Sequence, residues 1–122
     1  MARDTSQSNY RRGVMSLVIL SLLEKEDMYG YQMVQEIARL SDGRLTTQEG
    51  SLYPVIYRLQ DQGLISEERV LVGKRMMRNY YHLEPAGKKR LEEMTKEYEE
   101  MTAGVFAILN RTDTEKEGGE NE

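Results

Sequence analysis

Gly50-Ser51-Leu52-Tyr53-Pro54-Val55-Ile56-Tyr57-Arg58-Leu59, running on to Gly63-Leu64-Ile65, is the stretch whose reading decides the fold. Leu52, Val55, Ile56 and Leu59 recur at the spacing of one helical face. Ser51, Arg58 and Gln62 fall on the opposite, polar side. Thr46 with Glu49 imitates a capping box. A helix begun there would carry Pro54 in its interior, where it lacks a donor and crowds the preceding turn. The residues therefore predict a helix starting near Gly50 or Ser51 and stopped by Gly63.

Two helices are expected before it. Gly13 to Leu23 (GVMSLVILSLL) is apolar on nearly every side, as a buried helix is. Tyr29 to Leu40 places Met33, Val34, Ile37 and Leu40 on one stripe, and Ser41-Asp42-Gly43 ends it. After the decisive helix, Leu64–Ile65 and Glu67–Leu71 read as a short β run, with Asn79-Tyr80-Tyr81-His82-Leu83 as the returning strand. The tip between them, Val72 to Arg78, gathers Lys74, Arg75 and Arg78. From Pro85, tolerated in a first turn, a long helix is expected to residue 109. Leu91, Met94, Tyr98, Met101, Val105 and Ile108 alternate at spacings of 3 and 4, an a/d seam. At about 1.5 Å per residue such a helix outruns so small a domain, and the seam requires a partner helix.

Composition narrows the function. The 122 residues include no cysteine and one histidine, His82, which removes disulfides, thiol catalysis and Cys-ligated zinc. No glycine-rich phosphate loop or paired carboxylates suggest a reaction, so neither enzyme chemistry nor a cofactor or metal is expected. Val14 to Leu23 is too short to cross a bilayer, and it lacks the flanks of a secretory leader. The formal charge of −4 argues at first against a polyanionic partner. Yet residues 1–84 hold eleven basic and eleven acidic side chains, whereas residues 110–122 hold two and five. The excess sits mostly in the tail.

Helix, helix, polar-faced helix and basic-tipped hairpin, in that order, make a winged helix-turn-helix: mainly α with a small β hairpin. The expected division is a flexible arm over 1–9, the winged-helix domain over 10–84, a dimerisation helix over 85–109 and a disordered acidic tail over 110–122. The decisive stretch also closely resembles the recognition-helix signature of PadR-like transcriptional regulators. Arg12-Gly13, Tyr29-Gly30-Tyr31, and Tyr80-Tyr81-His82-Leu83 followed by Pro85 and Gly87 are similar to the same family. The resemblance covers residues 10–109. One departure is Glu84, where the family commonly has a capping Thr; a Glu still suits the helix dipole.

What the resemblance implies is a bacterial, cytoplasmic, homodimeric repressor that binds a palindromic operator in double-stranded DNA. Such relatives dimerise through the C-terminal helix and often release DNA when a small molecule binds. Some drug-sensing relatives use tryptophan at the dimer interface; this chain has none, so a drug held between indoles is excluded.

Each candidate residue has a second reading beside the functional one. Gln48 and Ser51 lie where short polar side chains reach base edges or phosphates, and Ser51 is alternatively a helix cap. Tyr53 offers a hydroxyl to a phosphate or simply packs. Arg58 is a phosphate ligand or a solvated charge. Lys74, Arg75 and Arg78 form the wing's cationic tip, and Arg12 beside Arg11 is a further phosphate contact or an anchor for the N-terminus. Leu91, Met94, Tyr98, Met101, Val105 and Ile108 are the dimer interface, where the pliable side chains of Met94 and Met101, with Tyr98, also suit a ligand pocket. Met76 and Met77 on the tip have no assigned role. The rival reading is a winged-helix protein-interaction module that no longer binds DNA.

Overall fold

The computed structural model describes residues 5–112, with side chains from Gly13 onward. The elements are α1 (Thr5–Lys25), β1 (Met28–Tyr29), α2 (Gly30–Leu40), α3 (Glu49–Asp61), β2 (Ile65–Val72), β3 (Met76–Leu83) and α4 (Pro85–Leu109). α1 begins earlier than its apolar segment and takes in residues 5–9 of the expected arm. The acidic tail lies, from residue 113, outside the described residues.

The core follows the apolar faces. Ile19 and Leu20 of α1, Met33 and Ile37 of α2, and Leu52, Ile56 and Leu59 of α3 lose nearly all contact with solvent. Removing that many branched and thioether side chains from water is the main force holding the three helices together. The N-cap of α2 is Tyr29, whose N–H donates to Gln32 Oε1 at 3.4 Å, while Gln32 Nε2 donates to Glu26 Oε2 at 3.0 Å. It ends at Ser41, after which Asp42 and Gly43 turn with positive φ.

α3 starts at Glu49, slightly earlier than Pro54 suggested, with Gln48 as N-cap and no side-chain cap bond. Pro54 is the sixth residue of the helix and takes the Gly50 carbonyl's helical donor away. Gly50 is exposed, so water can replace that donor. At the other end Gly63, at φ 74°, donates its N–H to Gln60 O at 2.9 Å, and Leu64 donates to Leu59 O at 3.0 Å. These two bonds form the Schellman closure that glycine's left-handed freedom permits.

The sheet is three-stranded in the order β1-β3-β2, all antiparallel. Met28 and Tyr29 pair with Tyr81 and Tyr80, a short strand that the sequence pattern does not announce. The hairpin is also longer than expected. Val72 pairs with Met76, so the loop is only Gly73-Lys74-Arg75, with Gly73 at φ 73°. Val70 and Val72 are β-branched, and Val70, Leu71 and Val72 pair with Arg78, Met77 and Met76, which brings those three out of the anticipated tip into the ladder. Ile65 and Tyr81 point from this sheet into the core.

The chain divides into two compact units, residues 1–91 and 92–122. The first turns of α4 belong to the first unit. Glu84 donates its N–H to Leu64 O at 3.0 Å, and a Cβ on Gly87 would collide with that carbonyl oxygen. Rather than capping α4 through its side chain, Glu84 accepts a hydrogen bond from Ser66 Oγ at 2.5 Å. In the second unit the helix is exposed along Met101, Val105, Phe106, Ile108 and Leu109.

Candidate nucleic-acid interface

The interface is built from the edge of α3 that its own burial leaves free. Leu52, Val55, Ile56 and Leu59 face inward, so Gln48, Gly50 and Ser51 stand exposed at the N-terminal end. Among the described residues nothing lies within 4 Å of a Cβ added at Gly50, so no packing there demands glycine. A bare backbone at a helix N-terminus allows close approach of an anionic group to the free amides.

Tyr53 is half-buried, and its ring lies on Gly30 at the start of α2. A Cβ at Gly30 would come within 2.9 Å of Tyr53 Cζ. Gly30 is thus the residue that lets α2 and α3 meet. The Tyr53 hydroxyl donates to Glu49 Oε2 at 3.3 Å, and its ring stacks on Tyr57 with centroids 5.9 Å apart. Burial and the nearby Glu49 carboxylate both raise its pKa, so it stays a neutral donor. Tyr53 therefore packs and still presents a polar group.

Arg58 is not on the open side of α3. Its guanidinium Nη2 donates to Ser16 Oγ of α1 at 3.0 Å, and the side chain is half-buried. Arg78 is likewise drawn off the tip. It is the third residue of β3, with its guanidinium carbon 4.2 Å from the ring centroid of Tyr29, which also meets Tyr80 edge-on at 5.4 Å. Lys74 and Arg75 are the cations left in the turn, exposed and without an ion-pair partner among the described residues. Arg69, overlooked in the sequence because it sits among Glu67 and Glu68, is exposed opposite Asn79. From Arg69 to Leu83 there is no acidic residue. Arg12 lies on α1, with its side chain outside the described ones.

Tyr81 and His82 serve the sheet. Burial first, then the charge of Glu67, pushes the Tyr81 pKa up to about 12. His82 Nδ1 lies 2.8 Å from Asp27 Oδ1, and that hydrogen bond raises the imidazole's pKa. Among the expected interface residues, Leu91 is 6% exposed within the single chain and belongs to its own core. Met94 and Tyr98 are half-buried, and Met101, Val105 and Ile108 are exposed. Among the described residues there is no cluster suited to a metal and no helix long and apolar enough to cross a membrane.

A helix pair that turns the polar end of its second member outward, beside a hairpin with a cationic turn, defines a winged helix-turn-helix regulator. Comparison with known proteins agrees. The model of the transcriptional regulator PadR-like family matches residues 19–93. The chain is 32% identical over 104 residues to transcriptional regulator Rv3488 of Mycobacterium tuberculosis, covering 84% of this chain and 92% of that one. A transcriptional regulator from Clostridium thermocellum superposes with a TM-score of 0.73 at 31% identity, over 85% of this chain and 97% of the other. Bacillus subtilis PadR, solved in complex with operator DNA, gives a TM-score of 0.61 at 25% identity, over 66% of this chain and 46% of that one. The chain belongs to the PadR-like family. It is a DNA-binding transcriptional regulator, and the reading as a protein-interaction module without DNA falls away.

Proposed function

We propose that the protein is a cytoplasmic, non-enzymatic repressor that binds a palindromic operator as a homodimer. The observation that carries this is the pairing of exposed Gln48, Gly50 and Ser51 at the N-terminal end of α3 with the exposed cations Lys74 and Arg75 on the wing. α3 enters the major groove and reads base edges through Gln48 and Ser51; Tyr53 and the free amides hold a phosphate. Lys74 and Arg75 bind phosphates without regard to sequence. Arg58 and Arg78 contribute first by holding α3 and β1 in place. Arg12 adds a phosphate contact ahead of the core.

The two-fold relation comes from α4, where Met94, Tyr98, Met101, Val105 and Ile108 form a seam with the same residues of a second copy. Met94, Tyr98 and Met101 line the part of that seam suited to a small-molecule effector whose binding releases DNA. An operator selected from randomised duplexes tests the reading. Lys74→Ala with Arg75→Ala lowers affinity for all duplexes alike and flattens the log–log salt slope by about 0.9 for each phosphate no longer neutralised. Ser51→Ala weakens only the selected operator. Equal behaviour of the two variants on every duplex overturns the assignment of roles.

A further inference from the structure

The outer end of the hairpin carries large apolar side chains that the core does not use. Leu71, Met76 and Met77 are 59%, 57% and 44% exposed. Leu71 pairs with Met77 and Val72 with Met76, so both faces of the ribbon end are apolar. They surround a turn whose Lys74 and Arg75 are exposed, in a segment without an acid from Arg69 to Leu83. A cation-only hairpin would suffice to touch phosphates. Exposed methionine and leucine beside those cations suit a surface that is anionic at its rim and apolar within.

We propose that this end is a wedge that enters the DNA minor groove and bends the operator, resting on the DNA-binding reading above. The minor groove is about 6 Å wide, and two strands already stand about 4.8 Å apart before their side chains are counted. The ribbon end therefore enters only a widened groove. Apolar side chains placed against deoxyribose and a partly unstacked base step stabilise such an opening, and cations at its lip hold the flanking phosphates. Arg78, over the ring of Tyr29, ties the base of the ribbon to β1. The wedge adds specificity at bases it never hydrogen-bonds, favouring steps that unstack easily, such as TA and CA/TG.

The test uses the full chain and an operator selected from randomised duplexes, labelled at both ends for energy transfer. The native protein shortens the end-to-end distance, corresponding to a bend between about 20° and 90°. Leu71→Ser/Met76→Ser/Met77→Ser lowers the thermal melt only slightly, since the three side chains lie outside the core, but binds the operator without bending it. Its affinity falls about tenfold on the intact duplex and recovers to within about threefold when a two-nucleotide mismatch loosens the wing-contact step. Native protein that binds without bending, or a triple variant that bends fully, overturns the wedge and leaves the DNA-binding reading standing. A variant that changes only the sedimenting mass, with the bend intact, assigns the edge to a second copy and also overturns it. Failure of the native protein to bind any duplex overturns both.

Discussion

α3 and α4 are both amphipathic helices, but their apolar faces meet different fates. Leu52 and Ile56 of α3 are fully buried within the chain, whereas Val105 and Ile108 of α4 are 46% and 63% exposed. A helix whose apolar face is satisfied at home is free to offer its remaining edge to a ligand, because its position no longer depends on that ligand. An apolar face left open, as along this half of α4, is a surface that the proposed second copy would cover. The first arrangement suits a reading head and the second suits an assembly device.

The contrast is open to experiment from both ends. Leu52→Ala empties a closed site and lowers stability by about 3 kcal/mol, read as a drop in the urea midpoint. Met101→Glu with Val105→Glu does the reverse, leaving that midpoint of the winged-helix unit in place while converting the sedimenting species to a monomer. Loss of folding in the second variant would show that the core also needs the half of α4 beyond Leu91. Arg58→Met removes the tie from α3 to Ser16 and costs about 1 kcal/mol, a loss that phosphate contact alone would not produce in the absence of DNA.

The smallest effect belongs to His82. Its folded-state pKa is raised by Asp27, so the pair stabilises most below the unfolded value of about 6.5. The contribution fades as pH rises through the folded value. Because the side chain is largely exposed, water screens the pair and the gain is small. Thermal melts at acid and alkaline pH converge slightly in His82→Asn; an unchanged pH dependence excludes the pair.

Local periodicity made the inner faces of α2 and α3 legible, since Met33 and Ile37, or Leu52 and Ile56, announce burial by spacing alone. The C-terminus of α3 was legible too, because Gly63 must adopt positive φ. Long-range pairings were not. Arg58 and Ser16 are 42 residues apart, and nothing around either names the other. β1 has two residues, too few for any alternation to show. Met76 to Arg78 resemble a polar-flanked loop, and only the pairing with Val70 to Val72 makes them strand. Leu91 continues the seam of α4 in perfect phase, yet a heptad does not say whether a given position faces the same chain or another.

Tyr29 is the last residue of β1, the N-cap of α2, and the ring beneath Arg78. One residue thereby belongs at once to the sheet, to the start of a helix and to the hairpin's anchorage. Its ring anchors the hairpin through Arg78 while its backbone N–H marks the start of α2, so a change at this one residue acts on both. The wing is thus tied to the helix pair at its root, while Lys74 and Arg75 stand exposed at its far end.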